Sequence, residues 1–228
     1  MRQPRFLVGC ARSKVMADAL RRHGAIVAEC DTEPSRAVGW HIQDDVRKVM
    51  RWGTWDAAIF HPACRYLTNA GVRWLYQGGR RFNADGSENP IDPVRWAQME
   101  QGAAFFLECL NAPIPFVACE NPIMHEHAAR IIGEDFAFSY QPHEHGEPEF
   151  KRSCIWTRTL PVVAPSNPLT PPKPGTDEHK AWSKVHRAPP GPGREELRSE
   201  TLPGVADALA ATWVPFVRNA INQERRAA

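Results

Sequence analysis

Four groups of reactive or polar residues each follow a strand-like apolar run. Because the carboxyl ends of parallel strands meet at one edge of a sheet, where such sheets bind ligands, we expect these groups to form one site. Thiol, carboxyl, imidazole and amide side chains together suit nucleophilic and acid–base chemistry. The groups are Gly9-Cys10, Asp31, His61 to Cys64, and Glu120-Asn121.

Cys64 has the position of a nucleophile. It follows the run DAAIF, and Pro62 fixes the backbone two residues before it. A cysteine attacks as the thiolate, so from a reference pKa of about 8.5 it needs a cation or a helix N-terminus nearby. We expect Arg65 and a helix after Tyr66 to lower the pKa of Cys64.

Glu120 is the candidate acid. It follows the apolar run PFVAC and precedes Asn-Pro, which places it at the carboxyl end of a buried strand. Desolvation there predicts a raised pKa and a carboxyl that donates a proton near neutrality. The alternative is a carboxylate that caps a helix beginning near His125.

The elements around these groups alternate between strands and helices. Strand-like runs occur at Arg5 to Gly9, AIVAEC, DAAIFH and PFVACENP, and helical spacing occurs in SKVMADALRRHG, DDVRKVM and Pro93 to Leu110. This alternation predicts an α/β fold with a mostly parallel sheet. The later runs FAFSYQP and RSCIWTR predict a C-terminal antiparallel part.

Three regions are expected along the chain. Residues 1–160 form the catalytic α/β domain, and residues 161–197 form a Pro-rich loop or lid. Nine of the 21 prolines lie between Pro161 and Pro192, a density that argues against regular helix or central strand. Residues 198–228 form a final helix that packs back on the same domain and is kinked at Pro215.

Composition limits the class of protein. The 228 residues are 43% hydrophobic, enough for a real core, and no apolar run reaches the roughly 20 residues of a membrane span. Six dispersed cysteines without a CxxC pair favour free thiols and a cytoplasmic protein. The formal charge of +2 neither supports nor excludes DNA binding.

The order of the motifs resembles that of the DNA cytosine-5 methyltransferases. That order is a glycine turn after the first strand, an acid after the second, an aspartate in DDV, Pro-x-Cys, and Glu-Asn. The likeness is closest to small phage-type members that lack a large target recognition domain. Its specific part is the block from His61 to Leu75 together with ENPIMH, within a match over residues 5–158.

The resemblance implies a Rossmann-like fold that binds S-adenosyl-L-methionine. The turn Gly9-Cys10-Ala11 would approach this cofactor closely. Asp31 would hold the ribose hydroxyls, Asp45 would face the adenine amino group, and Pro62 would line the cofactor. A bacterial or phage-infected cell is the implied location.

The resemblance also implies the catalytic roles. Cys64 would attack C6 of a cytosine flipped out of DNA, and Glu120 would engage N3, so that C5 accepts the methyl group. Arg152 would join the catalytic group, near the flipped base and its phosphate. The implied substrate-binding residues are Arg65, Asn121, Lys151 and Arg73, and Arg80 and Arg81 are either phosphate contacts or solvated surface.

Two positions depart from the family pattern. Ala63 replaces the second proline of Pro-Pro-Cys, which predicts a less rigid loop. Lys14 stands where relatives tend to have glycine in the cofactor turn. A lysine there would crowd the methionine end of the cofactor or receive a negatively charged variant of it.

Three alternatives remain open. The triplets His125-Glu126-His127 and His143-Glu144-His145 suggest a metal site, or else polar loop and helix-start residues. The missing recognition domain suggests a free pyrimidine nucleotide as substrate. Ala63 and Lys14 leave open an inactive relative that only binds nucleic acid or a protein.

Overall fold

A seven-stranded mixed sheet forms the centre of the protein in the computed structural model, which describes residues 2–189, 191, 194 and 198–227. The strands are β1 (Arg5–Gly9), β2 (Ile26–Asp31), β3 (His41–Gln43), β4 (Ala57–Phe60), β5 (Phe116–Asn121), β6 (Phe138–Tyr140) and β7 (Ser153–Thr157). Their order in the sheet is β3-β2-β1-β4-β5-β7-β6.

The direction of the strands confirms the predicted α/β class. The first five strands pair in parallel, and β7 is antiparallel to both β5 and β6. The sheet is therefore mostly parallel with a C-terminal antiparallel part, which is compatible with a Rossmann-like fold. Strand β3 carries no apolar run, and sequence reasoning missed it.

Helices cover both faces of the sheet. They are α1 (Val15–Arg22), α2 (Val46–Val49), α3 (Pro93–Leu110), α4 (Glu126–Ile132), α5 (Asp177–Trp182), α6 (Lys184–Arg187) and α7 (Pro203–Ala227). Short 3-10 turns lie at Val72–Leu75, Gln77–Gly79 and Pro142–Glu144. Within the described residues, none of the helices has both the length and the apolar character of a membrane span.

The central strands are buried on both faces. Successive side chains of a strand point to opposite faces, so β1 divides its apolar residues between two cores. Leu7 packs in the core beneath α3, whereas Phe6 and Val8 pack beneath α1 and α7. This two-sided burial explains why β1 is a continuous apolar run rather than an alternating one.

The final helix packs against α1. Trp213 is fully buried there, and its indole N–H donates to the carbonyl of Pro161 at 2.9 Å. Arg218 donates to the carbonyl of His23 at 2.6 Å. Pro215 lies inside this helix, where it lacks the backbone N–H of a regular turn.

The Pro-rich region differs from its prediction. The expectation of no regular helix there is wrong, because α5 and α6 lie in the proline-free interval between Pro174 and Pro189. The ring of Trp182 in α5 lies 5.5 Å from that of Phe150, which anchors this segment to the body. Residues 190, 192–193 and 195–197 of the predicted lid lie outside the described residues.

The sheet has a switch point between β1 and β4. The chain proceeds from β1 outward to β2 and β3, and then returns to place β4 and β5 on the other side. Open α/β sheets bind ligands at the carboxyl ends of the strands beside such a point. The groups after β1 and β4 therefore flank the expected binding crevice.

Gly9, at the end of β1, is required by packing inside the protein. A Cβ atom at this position would lie 2.4 Å from Cδ1 of Phe60 and 2.7 Å from Cγ2 of Val46. Both contacts are far shorter than van der Waals distance. The glycine therefore lets β4 and α2 close on the end of β1.

A buried ion pair connects the turn after β1 to β2. Lys14 Nζ lies 2.8 Å from Glu29 Oε2, and the Lys14 backbone N–H donates to Glu29 Oε1 at 2.9 Å. Lys14 Nζ also donates to the carbonyl of Trp40 at 3.2 Å. The ammonium group is thus engaged within the protein, an arrangement that does not support a role in receiving an anionic cofactor.

Replacing Lys14 should strongly destabilise the fold. Lys14→Met leaves the fully buried Glu29 carboxylate unpaired, so we expect the free energy of unfolding to fall by about 3–5 kcal/mol. The double variant Lys14→Met, Glu29→Leu removes both charges and should recover most of this loss. Urea denaturation measures both. Lys48→Met, which breaks an exposed pair with Asp44, is the control and should change stability little.

Candidate active site

The loop after β4 is held at three points. The His61 backbone N–H donates to the carbonyl of Gly9 at 3.0 Å, which joins the loop to the end of β1. The side-chain amide of Asn121, itself buried, donates to the carbonyl of Pro62 at 2.9 Å. The carbonyl of Cys64 accepts from the Leu67 N–H at 3.1 Å. Asn121 thus positions the loop that carries Cys64.

The predicted helix after Tyr66 is wrong. Residues 65–67 form a turn, and the next helical element is the 3-10 turn that begins at Val72. His125 holds this turn, because its backbone N–H donates to the carbonyl of Leu67 and its Nε2 to that of Tyr66, both at 2.9 Å. Cys64 therefore has no α-helix N-terminus behind it.

The pKa of the Cys64 thiol is raised, not lowered as predicted. Burial is the largest cause, and the negative charge of Glu120 adds to it. The positive charges of Arg198 and Lys151 act in the opposite direction. Arg65, the expected cation, is exposed and lies over the ring of Tyr66 at 5.7 Å. Cys64 is therefore a thiol at neutral pH before a substrate binds.

Glu120 sits within a dense group of hydrogen-bond donors. The Tyr140 hydroxyl donates to Glu120 Oε1 at 2.8 Å, and His61 Nδ1 lies 2.8 Å from Glu120 Oε2. Ser153 hydrogen-bonds to the same carboxylate, and the charge of Lys151 acts on it. The side chain of Glu120 is only 12% exposed. These partners come from β4, β6 and β7, which the chain brings together around the end of β5.

The predicted rise in the pKa of Glu120 is wrong. Burial acts in that direction and is the largest single influence. The hydrogen bond and charge of His61, together with the charge of Lys151 and the Ser153 hydrogen bond, outweigh burial and lower the pKa to about 2. Glu120 is therefore a carboxylate at neutral pH.

The thiol and the carboxylate lie at the carboxyl ends of two neighbouring strands. The charge of Glu120 has a smaller influence on the pKa of Cys64 than burial or the nearby cations and raises it, so the two groups interact electrostatically. Lys151 faces both, because Glu120 and Cys64 each raise its pKa while burial, the largest influence, lowers it. Strands β4 and β5 are neighbours, so their carboxyl ends deliver both groups to one place.

A small polar pocket opens beside Glu120. It offers only about 10 Å³ to the centres of water-sized spheres, room for about one water molecule and far below the roughly 300–1,000 Å³ typical of ligand pockets. The carbonyl of Glu200 contacts the ammonium group of Lys151 across this pocket. Sequence reasoning missed the residues from the start of α7. The lining residues are Glu120, Tyr140, Pro142, Lys151, Ser153, Glu200, Thr201, Leu202 and Val205.

The structure brings Lys151 to the site but not Arg152. Side chains alternate along an extended chain, and Lys151 and Ser153 share the side of Glu120. Arg152 is exposed, and its charge acts on the buried Cys154 thiol instead. The assignment of Arg152 to the catalytic group therefore has no support in this arrangement.

The other predicted basic residues lie on the exposed segment that follows Cys64. Arg73 is exposed and lies over the ring of Trp74 at 4.4 Å. Arg80 is also exposed. Arg81, in contrast, forms ion pairs with Glu88 and Glu126. Arg73 and Arg80 are thus the accessible cations of the three.

Three of the predicted cofactor residues cluster at the carboxyl ends of β1 and β2. The pKa of Cys10 is raised well above its ordinary value, first by a hydrogen bond with Cys109 and by burial, and further by the charges of Asp31 and Asp45. The backbone N–H groups of Cys10 and Ala11 donate to the carbonyl of Cys30 at 2.8 and 3.4 Å. The turn is therefore tied to β2 beside both carboxylates.

The two carboxylates have different surroundings. Asp31 is half-buried; burial is the main cause of its raised pKa, and it accepts from the Glu33 N–H at 3.0 Å. Asp45 is also partly buried and caps α2 by accepting from the Arg47 N–H at 2.9 Å. Of the two, Asp31 is the carboxylate whose pKa is raised by burial.

The histidine triplets have partners within the protein. His125 caps α4, and His127 Nε2 lies 2.8 Å from the Tyr76 hydroxyl. His143 packs against Phe150 and Trp182, and His145 Nδ1 lies 3.1 Å from the Ser166 hydroxyl. No cluster of three metal-ligating side chains occurs within the described part of the chain. The contacts favour the helix-start and loop interpretation.

Comparison with known proteins adds no family assignment. No family model matches the chain, and no curated protein matches it. Any function must therefore be argued from the geometry of the site and from the motif resemblance.

Alkylation of Cys64 tests the electrostatics of the site. Because Lys151 lowers the pKa of the thiol, Lys151→Gln should slow iodoacetamide labelling of Cys64 several-fold at pH 8. Arg152→Gln removes the adjacent charge, which acts on Cys154, and should leave the rate unchanged. Peptide mass spectrometry of a labelling time course gives both rates. Equal slowing by the two substitutions would contradict the placement of Lys151.

Proposed function

We propose that the protein transfers a methyl group from S-adenosyl-L-methionine to C5 of cytosine in DNA, through a covalent adduct of Cys64 at C6. One observation carries the proposal: Cys64 and Glu120 lie at the carboxyl ends of the neighbouring strands β4 and β5, beside the switch point of the sheet, and the charge of Glu120 acts on the Cys64 thiol. The ordered motifs of the sequence support the same reaction.

Cys64 supplies the nucleophile. Attack on C6 needs the thiolate, which burial and Glu120 disfavour and which Lys151 and Arg198 favour. The two cations therefore stabilise the form that attacks. Arg198 precedes α7, so the C-terminal part of the chain contributes to the site.

Glu120 supplies the group that engages N3 of the cytosine. Attack at C6 places negative charge on the ring, and a proton at N3 neutralises it and leaves C5 electron-rich. Glu120 is ionised at neutral pH in this structure, so the proton must come from one of its neighbours. Tyr140 and Ser153 fix the orientation of the carboxylate meanwhile.

The residues at the switch point fit the cofactor. Asp31 is a partly desolvated carboxylate whose raised pKa shows that its present partners do not compensate its burial. Hydroxyl donors such as those of a ribose would supply the missing hydrogen bonds. Asp45 and the Cys10 turn lie beside it. When bound, S-adenosyl-L-methionine supplies a methyl group on a positively charged sulfur.

Exposed cations and aromatic rings after Cys64 fit a DNA strand. Arg65, Arg73 and Arg80 are exposed, and the rings of Trp74 and Phe82 are 45% and 54% exposed. Arginines pair with phosphates, and exposed rings stack on unpaired bases. A cytosine inside a duplex is out of reach of Cys64, so the base must leave the stack at a cost of a few kcal/mol.

Mass spectrometry of DNA tests the reaction. Incubation of cytosine-containing DNA with the protein and S-adenosyl-L-methionine should produce 5-methylcytosine. Cys64→Ser should produce none, because a serine hydroxyl at neutral pH does not add to C6. Methylation that survives this substitution would remove Cys64 from the mechanism, and no methylation by the unaltered protein would refute the function.

Thermal unfolding tests the cofactor assignment separately. S-adenosyl-L-methionine should raise the melting temperature of the protein, since a ligand that binds only the folded state stabilises it. Asp31→Asn should weaken binding about tenfold or more, because it removes a charged hydrogen bond of about 1.5–3 kcal/mol. Asp85→Asn, in an exposed turn, is the matched control and should keep the full shift. A full shift in Asp31→Asn would exclude Asp31 from the cofactor site.

A further inference from the structure

His61 contacts Glu120 directly, although the motif resemblance gives it no role. Its Nδ1 lies 2.8 Å from Glu120 Oε2, and its side chain is 16% exposed. Its backbone is fixed by the hydrogen bond to Gly9 at the end of β1. Its Nε2 is buried and has no hydrogen-bond partner among the described residues. The imidazole is thus held against the carboxylate by the ends of two strands.

The neighbours of Glu120 differ in their ability to supply a proton. Tyr140 is a poor donor, because burial and the charge of Glu120 raise its pKa well above the ordinary value. Ser153 is an alcohol and does not ionise in this range. The ammonium group of Lys151 contacts the carbonyl of Glu200. His61 remains, because its Nδ1 lies 2.8 Å from Glu120 Oε2 and an imidazole can carry a proton on each ring nitrogen.

We propose that His61 and Glu120 act as one proton-carrying pair, in which His61 supplies the proton that Glu120 delivers to N3 of the cytosine. The inference rests on the proposed function and assigns a step within it. The contact at 2.8 Å and the burial of both side chains carry it.

The Cys64 thiolate forms a bond to C6, the C5–C6 π pair moves toward C4, and the C4–N3 π pair moves to N3. N3 takes a proton from Glu120, and Glu120 takes one from His61 Nδ1, so His61 becomes neutral and Glu120 stays ionised. After C5 has accepted the methyl group, a base removes the C5 proton. The thiolate then leaves C6, and N3 returns its proton to the pair.

Charged and titratable groups face the pair from every neighbouring element. Tyr140 lies on β6, Lys151 precedes β7, and Cys64 lies in the loop after β4. Glu200, which precedes α7, and Glu149 both raise the pKa of Lys151 by their charges. The rate requires that Cys64 has lost its proton and that the pair has kept one. The rate should therefore rise and then fall as the pH increases. The two apparent pKa values of this profile belong to the coupled groups and not to single residues.

Exchange of the cytosine C5 hydrogen tests the pair without the cofactor. Reversible addition of Cys64 makes C5 exchange with solvent, so DNA tritiated at C5 should release tritium in the presence of the protein alone. His61→Asn places an amide N–H near the position of Nδ1 and keeps a hydrogen bond to Glu120, but it carries no transferable proton. Exchange should fall about a hundredfold, and the alkaline fall of the pH profile should disappear.

His23→Asn is the matched control. His23 Nε2 lies 3.2 Å from Asp207 in another histidine–carboxylate pair, remote from the site. This variant should keep the wild-type rate and pH profile. If His61→Asn keeps them too, or slows exchange without changing the profile, His61 is a positioning residue and the proposal is overturned.

Nitrogen NMR gives a readout that needs no activity. In the wild-type protein His61 Nδ1 should carry a proton at pH 7. Because that proton is hydrogen-bonded, its own resonance in a nitrogen–proton correlation spectrum should lie far downfield. Glu120→Gln should move this signal upfield, because a charged acceptor forms the stronger hydrogen bond. An unchanged signal would show that the pair does not form. A wild-type protein with the signal but without any C5 exchange would refute the proposed function, and the N3 step with it.

Discussion

The hydrogen-bonded carboxylate of Glu120 is the interaction around which the site is built. A carboxylate with only 12% of its side chain exposed is unfavourable unless its oxygens are well supplied with donors. His61, Tyr140 and Ser153 supply them from three different strand ends. Each of these hydrogen bonds also holds a segment of the chain in place. His61 holds the loop that carries Cys64, and Tyr140 and Ser153 hold the antiparallel edge of the sheet. The charge of one side chain therefore couples the two halves of the sheet.

Burial raises the pKa of both reactive groups, but the net result differs between them. A backbone hydrogen bond and two cations act on the thiol of Cys64, but they do not outweigh its burial, so its pKa rises. The carboxylate of Glu120 has several donors, so they dominate and its pKa falls to about 2. Without substrate the site thus holds an uncharged nucleophile and an ionised acid partner, which is the reverse of the state that attack requires. The proton distribution must change when the reaction begins.

Local patterns in the sequence were enough to predict most of the strands and helices, although not β3, α5 or α6. Strand β1 and helix α3 have the predicted bounds, Arg5–Gly9 and Pro93–Leu110, because their apolar spacing is a property of consecutive residues. The charge state of Glu120 was not predictable in this way. Burial is visible as an apolar run, but the donors His61 and Tyr140 become neighbours only through the order of the strands.

The same limit explains the other differences between the predicted and the observed roles of residues. From the sequence, Lys14 is expected to crowd the cofactor turn, but in the fold it forms an ion pair with Glu29 of β2. Arg152 and Lys151 are adjacent in sequence, and only the alternation of an extended chain decides which of them faces Glu120. A prediction of fold class survives such errors because it depends on many residues. A prediction of a site depends on a few side chains and on which way each one points.

The charges of the site are interdependent in a way that favours attack. Lys151 and Arg198 are the cations near Cys64 and Glu120 is the anion, so these groups together with a Cys64 thiolate are neutral as a whole. Without either cation, formation of the thiolate would leave one unbalanced negative charge in a poorly solvated space. Lys151 and Arg198 therefore stabilise the thiolate, and the proton held by the His61–Glu120 pair remains for N3. Once the thiolate has bonded to C6 its charge passes to the ring, and transfer of that proton to N3 removes the remaining imbalance.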